Sequence, residues 1–376
     1  TDALDVHGCG PSVVRMTIAV FGASGYQAGL VLAELSRRGL DAVLVGRDPD
    51  RVAAAAEAAG LTGSPRRVAD RDDHRAMVAA FEGCAVVLNT AGPFTGTGQV
   101  VIRAALEAGC HYLDTAGEQG YVHEVFDDFG ADVDRSVVPA VNDGCVPTDL
   151  LVSRLAAAAG PLESVTVSHL LTATGGMSRG SLRSIAAVVD QIADAPMRRT
   201  LVLPDRRVEL VSFPLVEVVT VARHLPVRQV EGFVEAAVGE RLGGPLPDAV
   251  IDALPPGPDA ASRAAQRFTY VVDAVTADGR TLRGVVRGSD TYGSTAVIAV
   301  EAARRLAVDG ARPGALAPAQ AFDPAGFLCF LAEHGIATEV GVGLRESSGS
   351  SPSGAPGAAG TLESGGGPAK TRTVSG

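Results

Sequence analysis

The chain has 376 residues and a formal net charge of −11 at pH 7. It is long enough for two packed domains, and its charge gives little support for nucleic-acid binding. The sequence contains no apolar run of membrane-spanning length, no apolar signal core in residues 1–15, and five scattered cysteines without CxxC spacing, so we expect a soluble, cytoplasmic protein without a disulfide framework or a metal site.

The first periodic element begins next to Met16, and we expect residues 1–15 to be a disordered extension. A strand is predicted from Thr17 to Phe21, followed by the turn GASGYQAG (residues 22–29) and a helix from Leu30 to Arg38. In a doubly wound sheet, a glycine turn between strand and helix lets the backbone approach a pyrophosphate. The predicted cofactor contacts here are Gly22, Ala23, Ser24, Gly25, Tyr26 and Gln27.

The end of the second predicted strand, Asp41 to Val45, bears on the choice between NAD and NADP. An NAD enzyme usually places an acid there, whereas this chain has Gly46 and Arg47, and an arginine suits a 2′-phosphate. We therefore favour NADP(H). In the alternative, Arg47 only caps the next helix and Asp48 binds the ribose.

Strands and helices continue to alternate up to Ala140. The predicted helices are Asp48–Ala59, Asp72–Glu82, Gln99–Ala108 and residues 120–133, and the predicted strands are Arg66–Ala69, Cys84–Asn89, Cys110–Asp114 and Ser136–Ala140. This spacing predicts a Rossmann domain at residues 16–147, with a doubly wound, mostly parallel sheet of the α/β class.

Polar residues follow three of these strands, at the sheet edge where ligands of open α/β sheets bind. Asn89, Thr90, Ala91, Gly92 and Pro93 form a turn that we expect to contact the nicotinamide half of the cofactor. Asp114, which ends the next strand, and Thr115, which follows it, are also predicted cofactor contacts. The carboxylates of Glu118 and Asp143 are candidate proton donors, and that of Asp149 is a candidate substrate contact. The alternatives are a structural turn and, for Asp149, a helix cap.

The pattern changes after Pro147, where a helix (Thr148–Ala159) leads into an alternating strand, Ser164–Leu170. Further strands are predicted at Val208–Phe213, Val216–Val221, Gly232–Val238, Arg267–Ala274 and Thr281–Arg287, a helix at Ser181–Ile192, and a loop or frayed helix at Gly243–Ala261. Residues 148–288 thus read as an α+β domain with an antiparallel sheet for substrate binding or dimerisation. We expect residues 289–345 to return to the Rossmann domain through a helix at Tyr292–Leu306, and residues 346–376 to be a disordered tail.

Two further features bear on the chemistry. The loop TATGGMSRG carries Arg179, a candidate anchor for a substrate carboxylate or phosphate, although ordinary loop chemistry explains it equally well. The chain has a single lysine, Lys370, in the expected tail. The folded part therefore lacks a lysine for a Schiff base, a P-loop or the tyrosine–lysine pair of short-chain dehydrogenases.

Taken together, GASGYQAG, Asn89-Thr-Ala-Gly-Pro-Phe94, HYLDTAGE, VPTDL, GGMSRGS and GSDTYGSTA with PAQAF resemble the saccharopine dehydrogenase-like family, over roughly residues 16–340. That group includes saccharopine reductases and trans-acting enoyl reductases. The resemblance implies a Rossmann domain, an inserted substrate and dimerisation domain, NADP(H) and a homodimer. The chain departs from the family at Asn142-Asp143-Gly144, where many relatives are expected to read Gly-Phe-Asp.

These observations predict an NADPH-dependent reductase that delivers hydride to a C=N or conjugated C=C bond of a small acidic metabolite, with Arg179 as anchor and Asp143 or Glu118 near the proton path. Two alternatives stay open. One is an enoyl-thioester reductase acting in trans on a carrier-bound substrate, which a basic surface strip would favour. The other is a non-catalytic NADP(H)-binding regulator or scaffold, which a substrate pocket without polar groups would favour.

Overall fold

A computed structural model describes residues 16–130, 133–172, 176–188, 196–242 and 246–342. The expected extension and tail lie outside these ranges, and so do residues 173–175 of the predicted glycine-rich loop. The described residues belong to one compact unit and contain two seven-stranded sheets, which we name sheet A and sheet B. The predicted fold class is confirmed.

Sheet A is parallel at every pairing and has the order β13-β6-β5-β4-β1-β2-β3. Its strands are β1 (Ile18–Phe21), β2 (Ala42–Gly46), β3 (Arg66–Val68), β4 (Val86–Asn89), β5 (His111–Asp114), β6 (Ser136–Val138) and β13 (Gly314–Ala315). The chain runs outward from β1 in one direction and then from β4 in the other. The turns that follow β1 and β4 therefore meet at the reversal point, where doubly wound sheets bind ligands.

Both faces of sheet A are covered, which explains its continuous apolar strands. In β1, Ile18 and Val20 face one hydrophobic cluster, whereas Ala19 and Phe21 face another.

The helices are α1 (Tyr26–Arg38), α2 (Pro49–Ala58), α3 (His74–Phe81), α4 (Gly98–Glu107), α5 (Gln119–Asp128), α6 (Cys145–Ala159), α7 (Arg179–Val188), α8 (Glu217–His224), α9 (Ala236–Leu242), α10 (Asp248–Ala253), α11 (Ala260–Ala265), α12 (Thr291–Asp309), α13 (Pro318–Ala321) and α14 (Pro324–Glu333). No helix within the described ranges is long and apolar enough to cross a bilayer.

Sheet B has the order β14-β12-β11-β7-β10-β9-β8 and is antiparallel except between β7 and β10. Its strands are β7 (Leu162–Leu171), β8 (Arg198–Val202), β9 (Arg207–Ser212), β10 (Gln229–Glu235), β11 (Arg267–Thr276), β12 (Thr281–Ser289) and β14 (Ala337–Val342). The chain passes from sheet A to sheet B through α6, which packs on β7, β11 and β12. Pro147, where the sequence predicts a domain boundary, lies inside this helix.

Three parts of the second half differ from the sequence-based expectation. The predicted strand Val216–Val221 is wrong, because residues from Glu217 onward form helix α8. The predicted loop at Gly243–Ala261 contains helix α10 and the start of α11. Strands β8 and β14, at the two edges of sheet B, were not predicted.

Helix α12 is fixed against α1 by a charge network around Glu301. Its carboxylate accepts hydrogen bonds from Arg38 of α1 at 2.8 Å and from Arg304 and Arg305 of its own helix at 2.8 and 2.7 Å. Burial alone would raise the pKa of Glu301, but the Arg304 and Arg305 guanidinium groups lower it to about 2. This contact holds α12 beside the first strand–turn–helix unit, so its N-terminal residues reach the site described next.

Candidate cofactor and substrate site

The turn after β1 leaves the start of α1 open to an anion. Gly25 precedes the helix and supplies no side-chain cap, and the first turn carries no acidic residue. Gly22 has φ +78°, and a Cβ at this position would lie 2.7 Å from the Cβ of Ala91 in the turn after β4. A glycine is therefore required where the two turns meet. Free N–H groups at an uncapped helix start fit a pyrophosphate.

The other predicted contacts of this turn differ in their surroundings. Ala23 is fully buried, and its N–H donates to Val45 at 3.0 Å, whereas Ser24 is partly exposed. The hydroxyl of Tyr26 donates to the Pro258 carbonyl at 2.6 Å. The Gln27 amide donates to the Tyr292 carbonyl at 3.1 Å. The last two side chains thus connect α1 to segments near sheet B.

The end of β2 provides the cation that a 2′-phosphate would need. Gly46 ends the strand, and Arg47 is exposed with no hydrogen bond or ion pair to any described residue. The capping role belongs to Asp48, because its Oδ1 accepts from the N–H groups of Asp50 and Arg51, both at 3.1 Å. This arrangement leaves Arg47 available to a ligand and fits NADP(H) better than NAD.

The turn after β4 is held by side chains on both sides. The Asn89 side chain accepts from the Ala91 N–H at 2.9 Å and donates to the Tyr112 hydroxyl at 3.0 Å, and the Thr90 hydroxyl donates to the Phe21 carbonyl at 2.8 Å. Beyond Gly92 and Pro93, the carboxylate of Glu118 accepts from the N–H groups of Phe94 and Thr95 and from the Thr95 hydroxyl. Glu118 is 1% exposed. The geometry gives it a bracing role in this turn, because its oxygens already accept three donors.

Replacing Glu118 with glutamine is expected to lower the free energy of unfolding by about 1–3 kcal/mol, because the new NH₂ group would face an N–H that needs an acceptor. Urea denaturation measures the change. Glu124→Gln is the matched control, since Glu124 lies on α5, the helix that begins directly after Glu118, but is exposed, and it should change stability by less than about 0.5 kcal/mol. Equal stability of native protein and Glu118→Gln would contradict the bracing role.

Asp114 and Asp149 are fully buried and do not line the cavity described below. The Asp114 carboxylate accepts from the N–H groups of Ala116 and Ala140 and from the Tyr121 hydroxyl, and burial raises its pKa to about 6. Asp149 lies within α6, where its oxygens bind His224 Nε2 at 2.9 Å and accept the Ala319 N–H at 2.8 Å. The geometry does not support a substrate contact for Asp149, nor a capping role at the start of its own helix; its carboxylate instead accepts an N–H from the first turn of α13.

A cavity of about 570 Å³ opens at the ends of β4 and β5 and extends toward sheet B. Thr90, Gly92 and Thr115 lie on its sheet A side. Polar side chains from several elements line its interior, among them Gln27, Glu118, Asn142, Asp143, His169, Ser178, Ser181, Glu217, Gln266, Tyr270, Tyr292 and Thr295. One side is an apolar wall, formed by Phe94, Leu171, Met177, Leu182, Ile185, Val188, Phe213, Leu215, Val216 and Val238.

Asp143, one of the two predicted catalytic groups that line this cavity, is hydrogen-bonded to side chains of distant elements. Its Oδ1 accepts from the Thr295 hydroxyl at 3.0 Å, and its Oδ2 accepts from the Tyr270 hydroxyl of β11. Burial raises the pKa of Asp143, although these two hydrogen bonds partly offset the effect. The pKa of Tyr270 is raised well above its usual value by burial and by the nearby carboxylate of Asp143.

A second polar pair lies beside the first. His169 Nε2 is 2.8 Å from Glu217 Oε1, and the His169 ring stands 4.1 Å from the Tyr270 ring, measured between centroids. Burial would raise the pKa of Glu217, but the charge and hydrogen bond of His169 lower it. Neither residue was predicted from the sequence. The sequence features that mark them are a histidine within the alternating strand SVTVSHLL and an acid within the apolar run PLVEVVT.

No arginine or lysine lines this cavity in the described part of the chain. Arg179, the predicted anchor, begins α7, and its side chain is directed elsewhere: Nε donates to the Leu254 carbonyl at 2.6 Å. Arg183, one turn later, pairs with Asp252. The geometry therefore does not support the anchor role expected of Arg179, because its guanidinium holds the segment before α11 instead of a ligand.

Comparison with known proteins supports the cofactor assignment. Residues 18–132 match the family model described as the saccharopine dehydrogenase NADP binding domain. This stretch contains the turns after β1, β2 and β4. The uncapped start of α1, the close approach of Gly22 to Ala91 and the unpaired Arg47 each fit a bound dinucleotide. The cofactor is NADP(H).

Curated relatives and a solved structure extend the comparison. A provisionally named trans-acting enoyl reductase of Mycobacterium tuberculosis is 31% identical over 209 residues, covering 51% of this chain and 50% of that protein. A trans-acting enoyl reductase of Mycobacterium ulcerans is 30% identical over 145 residues, covering 37% and 35%. The chain thus spans about half the length of the first relative and 35% of the length of the second. The apo saccharopine dehydrogenase (L-Glu forming) of Saccharomyces cerevisiae has a TM-score of 0.57 at 14% identity, covering 87% of this chain and 100% of that one, which shows a shared fold. The resemblance predicted from the sequence is thereby confirmed: residues 18–132 match the NADP binding domain of saccharopine dehydrogenase.

Proposed function

We propose that this protein is an NADP(H)-dependent reductase that reduces the conjugated C=C bond of a largely apolar enoyl thioester. When bound, NADPH supplies a hydride. The Gly25 turn and Arg47 are the groups proposed to hold its pyrophosphate and 2′-phosphate, and Asn89 to Pro93 with Thr115 to face its nicotinamide half. The protein's own contribution is to orient the substrate, exclude water and provide a proton.

The observation that carries this choice of substrate is the cavity lining. A small dicarboxylate would need cationic partners, because a buried carboxylate without one is costly. Among the described residues the cavity offers Glu118, Asp143 and Glu217 but no arginine or lysine, and one side is a wall of apolar side chains. These features favour an uncharged acyl chain over the acidic metabolite that the sequence analysis preferred. The polar groups beside the wall disfavour a non-catalytic regulator.

Two features support a carrier-bound form of this substrate. The curated relatives are named as acting in trans. In addition, the β8–β9 hairpin at the edge of sheet B carries more exposed arginines than exposed acids: Arg198, Arg199, Arg206 and Arg207 against Asp205 and Glu209, with Arg199 also paired to Glu231 at 3.5 Å. A basic edge of this kind is suited to an acidic partner protein. A homodimer and a cytoplasmic location remain predictions.

The test is NADPH oxidation with uncharged N-acetylcysteamine thioesters of trans-2-enoic acids of increasing chain length, compared with an imine formed from an amino acid and an aldehyde acid. We expect turnover of the thioesters that rises with chain length, and none of the dicarboxylate imine. Ile185→Arg should lower kcat/KM for the longest chain by about 10- to 100-fold, because a charge would enter the apolar wall.

Val308→Arg is the matched control, since Val308 is 50% exposed on α12 and does not line the cavity. It should leave kcat/KM unchanged, and both variants should bind NADPH like the native protein. Reduction of the imine alone, or no NADPH oxidation with either substrate, would refute the proposal.

A further inference from the structure

The ring of His169 is held in one orientation in the cavity by its neighbours. The histidine lies on β7 between β10 and β11, and its side chain is 13% exposed. The ring packs over the start of α6 so closely that a Cβ on Gly144 would lie 2.8 Å from its Cε1. Glycine at position 144 therefore makes room for the ring, which lines the cavity with Asn142 and Asp143.

Glu217 fixes which ring nitrogen carries a proton in the neutral form. The lowered pKa of Glu217 keeps it ionised, and an ionised carboxylate can only accept, so Nε2 must donate to Oε1. Nδ1 has no hydrogen-bond partner among the described residues. Glu217 is 1% exposed, and its second oxygen, Oε2, also has no partner among them. A carboxylate with unmet acceptor capacity stabilises a positive charge on the ring beside it.

Three ionisable groups face the His169 ring from the elements packed around it. They are Glu217 of α8 at 2.8 Å, Tyr270 of β11 in ring contact, and Asp143 before α6, whose carboxylate accepts the Tyr270 hydroxyl. Both oxygens of Asp143 are already bonded to hydroxyl groups, and those of Glu118 accept backbone N–H groups. The oxygens of both carboxylates that the sequence predicts as proton donors thus already accept hydrogen bonds, whereas Nδ1 of His169 has no hydrogen-bond partner among the described residues.

We propose that His169 is the proton donor of this site and that Glu217 is its positioning residue, an inference that rests on the proposed reductase function. In that reaction a hydride adds to the β-carbon of the enoyl thioester, and the π electrons of the C=C bond move toward the thioester carbonyl. The Nδ1 proton of the imidazolium then forms the new C–H bond at the α-carbon. His169 is left neutral, with Nε2–H still on Glu217, and recovers a proton from solvent. NADPH is oxidised and the C=C bond is reduced, so atoms and electrons balance.

The first test needs no substrate or cofactor. Nitrogen NMR of the seven histidines at alkaline pH shows which ring nitrogen of His169 carries the proton, and the signals of His169 are those missing from His169→Asn. We expect Nε2–H alone in the native protein and a mixture of Nε2–H and Nδ1–H forms in Glu217→Gln, because a neutral amide can donate to the ring as well as accept from it. The native pattern retained in Glu217→Gln would contradict the positioning role.

The second test is the pH profile of thioester reduction. The native rate should fall as pH rises, since only the imidazolium donates, and His169→Asn should lack this falling limb. Glu217→Gln should move the falling limb to lower pH, because the carboxylate that stabilises the imidazolium is lost. His169→Asn should lower kcat by about 10²- to 10⁴-fold with KM nearly unchanged.

The chain offers a matched control in His224, which is paired with buried Asp149 at 2.9 Å but lies outside the cavity lining. His224→Asn should leave the pH profile unchanged. If the native protein turns over enoyl thioesters and His169→Asn retains a rate within about threefold, the proton-donor role is wrong and the proposed function stands. If the native protein oxidises no NADPH, the proposed function fails first, and the role of His169 with it.

Discussion

Gly25→Val is expected to abolish NADPH binding while the protein still folds. Gly25 has φ −79° and ψ 165°, a conformation open to any L-residue, and the nearest atom to an added Cβ is the Gly22 carbonyl oxygen at 3.2 Å. The fold therefore meets only a small strain. The valine methyl groups would extend over the free N–H groups at the start of α1, where the pyrophosphate is proposed to lie. We expect a loss of at least about 100-fold in affinity, or about 2.7 kcal/mol.

Gly29→Val, four residues further on, is the control for this experiment. Gly29 is exposed on α1, and an added Cβ there meets nothing within 4 Å. NADPH fluorescence titration should give native affinity for Gly29→Val and no binding for Gly25→Val, and circular dichroism should show similar melting for both. Native affinity in Gly25→Val would remove the cofactor from this turn.

Arg47→Asp is expected to reverse the cofactor preference. An arginine on a phosphate makes charge-assisted hydrogen bonds worth about 1.5–3 kcal/mol, and aspartate would also repel the 2′-phosphate. NADPH affinity should fall by about 100-fold or more, whereas NADH, which lacks that phosphate, should bind within about threefold of its native affinity or more tightly.

Arg154→Asp supplies the control, because it makes the same charge change at an exposed position of α6, away from the β2 end. It should leave both affinities unchanged. Isothermal titration with both cofactors measures the effect. A similar loss of NADPH and NADH binding in Arg47→Asp would contradict a role specific to the 2′-phosphate.

Local pattern was sufficient to predict six of the seven strands of sheet A, β1 to β6, but not the two-residue β13. Most of these strands are short apolar runs, and each turn between strand and helix carries its own glycine or capping signal. The family comparison covers β1 to β5. The positions of Gly22 and Arg47 follow from that pattern, since both lie directly after a strand.

The second half depended more on contacts between distant segments. The run of β-branched residues from Val216 to Val221 favours a strand by propensity. It forms α8 because Glu217, Thr220 and Val221, spaced three and four apart, are buried together on one helical face, and α8 packs on α6. Tertiary packing overrode the local preference.

The same limit explains why the sequence showed the strand-end residues but neither His169 nor the surroundings of Arg179. His169 meets Tyr270 only because β7 pairs with β11, and it meets Glu217 only because α8 follows β9 rather than extending it. Arg179 looked like an anchor within a glycine-rich loop. Its side chain instead binds a carbonyl 75 residues away, a contact that no local spacing indicates.

A crystal structure of the protein with bound NADPH would test the proposed cofactor site most directly. We expect pyrophosphate oxygens on the N–H groups at the start of α1, the 2′-phosphate beside Arg47, and the nicotinamide in the 570 Å³ cavity, on the side that Thr90, Gly92 and Thr115 line. Density for the dinucleotide at any other place on the protein, with the Gly22–Gly25 turn unliganded, would contradict this expectation.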